Sequence, residues 1–176
     1  MQNVTLLILI INLVFLCDSI ASPPTEYQVK AALIYNFLRF VDLKEDRVVN
    51  NEIHLCSFEK NPLNNEVKKL DEKSIGDRKI LFSEVHSDSE IHSCSVLLVD
   101  KRDTESLKRI IEVAYREGIL LIGDTDGYGE LGVVINMFIK DEKVRFEINL
   151  EAANKSDVKV SSRLLSVAKI IKNLKK

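Results

Sequence analysis

Residues 118–165 read GILLIGDTDGYGELGVVINMFIKDEKVRFEINLEAANKSDVKVSSRLL, and the spacing of their apolar runs decides the fold. Ile119, Leu120, Leu121 and Ile122 form a run stopped by Gly123 and Asp124, the pattern of a buried strand that ends in a turn. Two further runs, residues 131–139 and 144–150, are joined by Lys140, Asp141, Glu142 and Lys143, a connection short enough for a hairpin. In the second run Val144, Phe146, Ile148 and Leu150 take one face while Arg145, Glu147 and Asn149 take the other, a strict period of two. The first face is expected to join the core, the second to stay open to solvent or a partner.

Upstream, strand and helix signals alternate. Residues 52–58 (EIHLCSF) alternate as a strand, residues 62–70 support a short helix opened near Asn61, and residues 79–85 form a second strand. Residues 95–99 (SVLLV) are a third, almost wholly apolar, as a strand covered on both faces would be. Residues 104–116 give an amphipathic helix with Leu107, Ile110, Ile111 and Ala114 inward, Glu105 near its start and Arg116 at its end, signs that suit the macrodipole; Gly118 closes it. Near the start, Thr25 is the N-cap candidate of a mostly buried helix in which Tyr27, Ala31, Ile34, Leu38 and Val41 recur at helical spacing. Downstream, residues 160–174 (VSSRLLSVAKIIKNL) read as a C-terminal helix. The class is therefore α/β: a single domain, a mostly parallel sheet flanked by helices, with a C-terminal antiparallel hairpin and a final helix.

A chain of 176 residues, 45% hydrophobic, is long enough for one domain with a substantial core. Lys plus Arg number 25 against 27 for Asp plus Glu, so nothing in the charge favours nucleic acid or an anionic membrane as partner. Residues 6–16 are apolar apart from Asn12 and are followed by Ser19, Ile20 and Ala21. This is the pattern of a secretory signal, residues 1–21, cleaved after Ala21 to leave an exported domain of residues 22–176. The run is shorter than the roughly 18 to 20 residues that span a bilayer, so no membrane insertion of the mature chain is expected. Cys17 follows Leu16 rather than a small residue and is expected to leave with the signal.

Gly127, Gly129 and Gly132 match the spacing of a dinucleotide fingerprint. A β-rich segment follows instead of a helix, and Asp124, Asp126 and Glu130 would repel phosphates; the segment also lacks the ligand series of a calcium loop. It is read as a turn held by Asp and Gly chemistry. Cys56 and Cys94 remain after the signal is removed, in a compartment where disulfides persist. A bridge between them is the simplest reading; it would close a loop of about 39 residues and contribute roughly 4 kcal/mol at most. A zinc site from His54, Cys56, His92 and Cys94, or two free thiols, are the other readings. His86 lies in a polar loop, and Ser161 and Ser162 lack a nucleophile elbow, so no catalytic residues, no cofactor and no metal are assigned.

Laid out in order, the chain resembles the YfiR family, periplasmic repressors of membrane-bound diguanylate cyclases. The resemblance covers about residues 26–172. It rests on the opening Glu26-Tyr-x-Val-Lys-Ala-Ala-Leu-Ile-Tyr-Asn36-Phe with Phe40 and Val41, then Ile53-His-Leu-Cys56, Cys94-Ser-Val-Leu-Leu, and Ile122-Gly-Asp124 with Gly132-Val-Val-Ile-Asn136. Arg145-Phe-Glu147-Ile-Asn149-Leu with Ala152 and Ala153, and Val160-Ser-Ser162-Arg-Leu-Leu165, complete it. It implies a non-enzymatic periplasmic α/β domain, often a homodimer, that docks on the periplasmic sensor domain of an inner-membrane cyclase and lowers cyclic-di-GMP and biofilm formation. The chain departs from the family pattern in lacking a second cysteine pair near the hairpin and in reading Leu131-Gly132 where two glycines are usual. A small-ligand sensor tied to a transporter or receptor is the alternative. Either way the candidate partner or ligand surface is Arg145, Glu147 and Asn149 with Asn136 on the neighbouring strand. Side chains two apart on a strand face are roughly 7 Å apart, so Arg145 and Glu147 can form an ion pair flanked by the amides; a solvated or locally structural polar face is the other reading.

Overall fold

The structure, a computed structural model, describes residues 22–171. The signal segment and residues 172–174 of the expected final helix lie outside the described residues.

Thr25 opens α1 (Glu26–Arg39) with a capping box: its hydroxyl accepts from Gln28 N–H and the Gln28 side chain accepts from Thr25 N–H. Two short strands, β1 (Val41–Asp42) and β2 (Val48–Val49), lead to β3 (Glu52–Phe58). The expected short helix is α2 (Asn64–Val67), which follows Asn61, whose side chain accepts from Leu63 N–H. Next come β4 (Ser74–Ile75), β5 (Arg78–Val85) and β6 (Val96–Val99), then α3 (Thr104–Glu117), capped by Asp103 and closed by Gly118 at φ 79°. There a Cβ would run into the Lys44 side chain.

β7 (Leu120–Gly123) leads through the one-turn helix α4 (Tyr128–Leu131) to β8 (Ile135–Lys140). The parallel strands stand in the order β5-β3-β6-β7-β8. The chain starts in the middle, steps one way to β5, then crosses back and builds the other way, which is the doubly wound arrangement. β9 (Lys143–Asn149) pairs antiparallel with β8, and Asp141 and Glu142 between them take φ 51° and 58°, as a tight I′ hairpin requires.

The sheet is buried on both faces. Ile53, Leu55, Ile80, Val96, Leu98 and Ile122 point to the α1 and α2 side. Cys56, Leu97, Val99, Ile119 and Leu121 meet Leu107, Ile110, Ile111 and Ala114 of α3 on the other. Phe37 of α1 packs on Phe146 of β9, ring centroids 4.8 Å apart.

Beyond the hairpin the expected C-terminal helix does not form. The chain makes α5 (Leu150–Lys155), β10 (Lys159–Val160), which pairs with β1, then the single turn α6 (Ser162–Leu165) capped by Ser161, and finally β11 (Lys169–Ile171). β11 lies parallel to β9, Lys169 opposite Glu147 and Ile171 opposite Asn149. Leu164, Leu165 and Ala168 imitate a helical stripe, but the outer edge of β9 offers unpaired backbone groups and the β-branched Ile170 and Ile171 take them. Tertiary hydrogen bonding overrides the local pattern.

Candidate functional site

The polar face of β9 is mostly buried. Asn136 and Asn149 are 0% exposed and Glu147 4%, because α4 and the glycine loop fold over them. Asn136 Nδ2 donates to Thr125 O at 3.0 Å and to Glu147 Oε1 at 3.3 Å. Asn149 Nδ2 donates to Gly129 O at 2.8 Å, while its Oδ1 accepts from Ala152 N–H and so caps α5. Gly129 rests against the Glu147 carboxylate so closely that a Cβ there would collide with it. Tyr128, buried under the same turn, accepts from Arg102 N–H at 2.7 Å, and Tyr115 donates to Gly132 O at 2.9 Å. Burial, then the Glu151 charge, pushes the Tyr115 hydroxyl up to about 12. The expected open face is thus a buried polar floor at three of its four positions.

Glu147 does not pair with Arg145. Its Oε2 takes Lys169 Nζ of β11 at 2.9 Å, and this hydrogen bond is the main cause holding the Lys169 ammonium above its ordinary range. Arg145, two residues nearer the turn, is exposed and stands opposite Phe138 across the hairpin. Sequence reasoning missed Lys169 because it assigned that residue to a helix. It also missed Lys30, 5% exposed in α1, whose Nζ lies 2.6 Å from Glu26 and 3.2 Å from Asp124. Burial opposes the Lys30 charge, but the two carboxylates outweigh it and raise the ammonium above its usual value. A lysine inside an apolar helical stripe, with an Asp closing a buried strand, was the available signal.

Cys56 and Cys94 are bonded, Cα atoms 5.8 Å apart. The crossover from β5 to β6 carries a single 3-10 turn, Ile91–Ser93, in place of an α-helix. The bridge and Ile91 hold that crossover on the sheet face beside α3. The histidines of the alternative zinc set go elsewhere: His54 Nε2 lies 3.6 Å from Glu52 and His92 Nδ1 2.5 Å from Glu117. Arg47 completes the second cluster, bonding Glu117 O, His92 O and the Glu117 carboxylate.

Where the strand order switches, the carboxyl ends of β3, β5 and β6 frame an open crevice of about 490 Å3 lined by Phe58, Lys60, His86, Asp100 and Arg102. The Arg102 guanidinium lies 3.3 Å from the Phe58 ring centroid and its Nε 3.0 Å from Asp100. This is the place where open α/β sheets hold small ligands.

The sequence profile of the family described as YfiR/HmsC-like matches residues 27–169. No curated protein matches the chain. Among solved structures, a conserved domain protein from Vibrio cholerae superposes with TM-score 0.54 at 13% identity, covering 86% of this chain and 62% of that one. The ABC domain in complex with L-Trp from Streptococcus pneumonia superposes with TM-score 0.50 at 11% identity, covering 82% and 60%. The chain therefore spans about three fifths of the length of each. At these identities the likeness shows the fold alone.

Proposed function

Because this chain belongs to the YfiR/HmsC-like family, we propose that it is an exported, non-catalytic repressor that docks on the periplasmic sensor domain of an inner-membrane diguanylate cyclase. At the level of the family it is a periplasmic regulator of cyclic-di-GMP signalling, and the family is regulatory rather than catalytic. In this reading the signal is removed after Ala21, the mature chain works as a homodimer, and docking holds the cyclase inactive so that cyclic-di-GMP and biofilm formation fall. The observation that carries it is the family match across residues 27–169, which takes in the sheet, the hairpin and β11 up to Lys169. Of the residues expected to form the docking surface, Arg145 is the one that the fold leaves exposed.

The test is coexpression with a diguanylate cyclase whose gene lies beside this one, reading cyclic-di-GMP. A fall that requires the periplasmic domain of the cyclase supports repression; unchanged cyclic-di-GMP, with no binding of purified protein to that domain, overturns it. N-terminal sequencing of the periplasmic protein is expected to begin at Ser22. The crevice at the strand-order switch favours a second reading, a small-ligand sensor, which calorimetry against periplasmic metabolites would detect and which Arg102→Ala should weaken.

A further inference from the structure

β11 covers the outer edge of β9 at Glu147, Ile148 and Asn149, and the first four residues of β9, Lys143 to Phe146, have no outer partner strand among the described residues. Asn149 N–H donates inward to Val134 O. Backbone groups alternate in an antiparallel pair, so the N–H groups of Lys143, Arg145 and Glu147 also turn toward β8. Those of Val144 and Phe146 turn outward.

Along this edge runs a groove of about 590 Å3. On the α1 side its walls are Leu33, Val144 and Phe146, with the half-exposed Ile139 close by. On the opposite side stand Lys140, Arg145 and Lys169, with Phe138 beneath. Lys140 sits directly opposite Lys143 across the hairpin; the turn between them carries Asp141 and Glu142, and Asp141 lines the groove at that end, so the net positive charge of the groove rests on Arg145 and Lys140. Among the described residues no carboxylate lies within the 4.0 Å of an ion pair from Lys140, Lys143 or Arg145, whereas Lys169 has Glu147. Val167, 71% exposed, overhangs the groove where β11 begins.

We propose that this open edge takes an extended segment of a partner protein as an added strand, one whose residues alternate between acidic and apolar. Strand side chains point to opposite faces with a period of two. Acidic positions of the added strand then meet Arg145, Lys140 and Lys169, while its apolar positions meet Leu33, Val144 and Phe146; the backbone bonds go to Val144 and Phe146. Charge selects among the possible occupants. A second copy of β9 would set Lys143 and Arg145 against their own likenesses, and the chain's own residues 172–176 carry three lysines and no acid. The cations that keep identical edges apart admit an acidic one. This deepens the docking reading and rests on it for the biological partner, but its test needs no cyclase.

The probe is a fluorescein-labelled peptide Asp-Ile-Glu-Val-Glu-Leu, with Lys-Ile-Lys-Val-Lys-Leu and a block-ordered Asp-Glu-Glu-Ile-Val-Leu as comparisons. The alternating acidic peptide is expected to bind the mature protein and to protect the Val144 and Phe146 amides from hydrogen exchange. Arg145→Glu should weaken that binding by about tenfold or more, since like charges then oppose. Val144→Pro should abolish it, because it deletes an outward N–H that the fold itself does not use. Both variants are expected to melt as the parent does; if Val144→Pro melts lower, Arg145→Glu and the exchange pattern decide. Equal binding of the block-ordered peptide, no protection at Val144 and Phe146, or no binding of the acidic peptide would each overturn the proposal, and none of them bears on whether a cyclase is repressed.

Discussion

Lys169 reaches from the edge strand to place its Nζ 2.9 Å from the Glu147 carboxylate, a side chain 61% exposed gripping one that is 5% exposed. The contact ties the last described strand to a polar floor that α4 seals from the other side. Glu147 therefore has a structural task, while Arg145, two residues away on the same face, has an exposed one.

Replacing the two separately should show the difference. Glu147→Ala removes a buried acceptor from Lys169 and Asn136 and is expected to cost about 1–3 kcal/mol. Arg145→Ala should leave stability within about 0.5 kcal/mol and affect partner binding instead. Chemical denaturation of both variants, together with binding to the periplasmic domain of the proposed cyclase partner, checks this; a destabilised Arg145→Ala with normal binding would contradict it.

Gly129 is required by closeness rather than by backbone freedom. An alanine there must push the Glu147 carboxylate out of its pairings or lift α4 off the sheet. Gly129→Ala is expected to lose about 1–3 kcal/mol. Gly127, at φ 80°, has open space around its missing side chain, so Gly127→Ala carries backbone strain without the collision. Thermal unfolding of the two variants, with hydrogen exchange at Gly129 and Glu147, separates these causes: loosening of both segments together is expected for Gly129→Ala alone.

The Cys56–Cys94 bridge spans 38 residues of sequence and fixes a crossover that has no α-helix of its own. Removing it with a Cys56→Ser, Cys94→Ser pair is expected to lower stability by about 2–4 kcal/mol while the sheet survives. Circular dichroism and denaturant titration measure it, and thiol labelling of the native parent should find no free cysteine in the mature chain.

Glu117, at the end of α3, supplies a pH dependence. Burial alone would raise its carboxyl pKa, but the His92 hydrogen bond and charge, with Arg47, outweigh that and hold it below the usual carboxylate range. A carboxylate whose folded pKa is depressed stabilises the protein above its unfolded pKa, and the contribution is lost as pH falls through the folded value. Stability should therefore fall below about pH 4.5, and Glu117→Gln should make that fall shallower while lowering stability at neutral pH. Parallel acid titrations of the two proteins would reveal an identical slope if the cluster contributed nothing.

The sequence by itself determined the parts of this protein that depend on neighbours along the chain. Thr25 announces the start of α1, Gly118 ends α3, and the period of two in residues 144–149 marks β9 with Phe146 and Ile148 on the core side. The apolar runs of β6 and β7 tell of cover on both faces, and their alternation with helices leads to a parallel sheet. What the period of two could not contain is what lies over its polar side. It states that the faces differ, while the cover over Asn136, Glu147 and Asn149 comes from α4, which is brought there by the crossover from β7 to β8 and fits because Gly129 has no side chain. The fate of residues 166–171 was likewise decided by the tertiary structure. Their spacing satisfies a helix locally, but strand bonds are made to whatever edge stands beside them, and only the assembled sheet supplies the free edge of β9 with Glu147 waiting for Lys169.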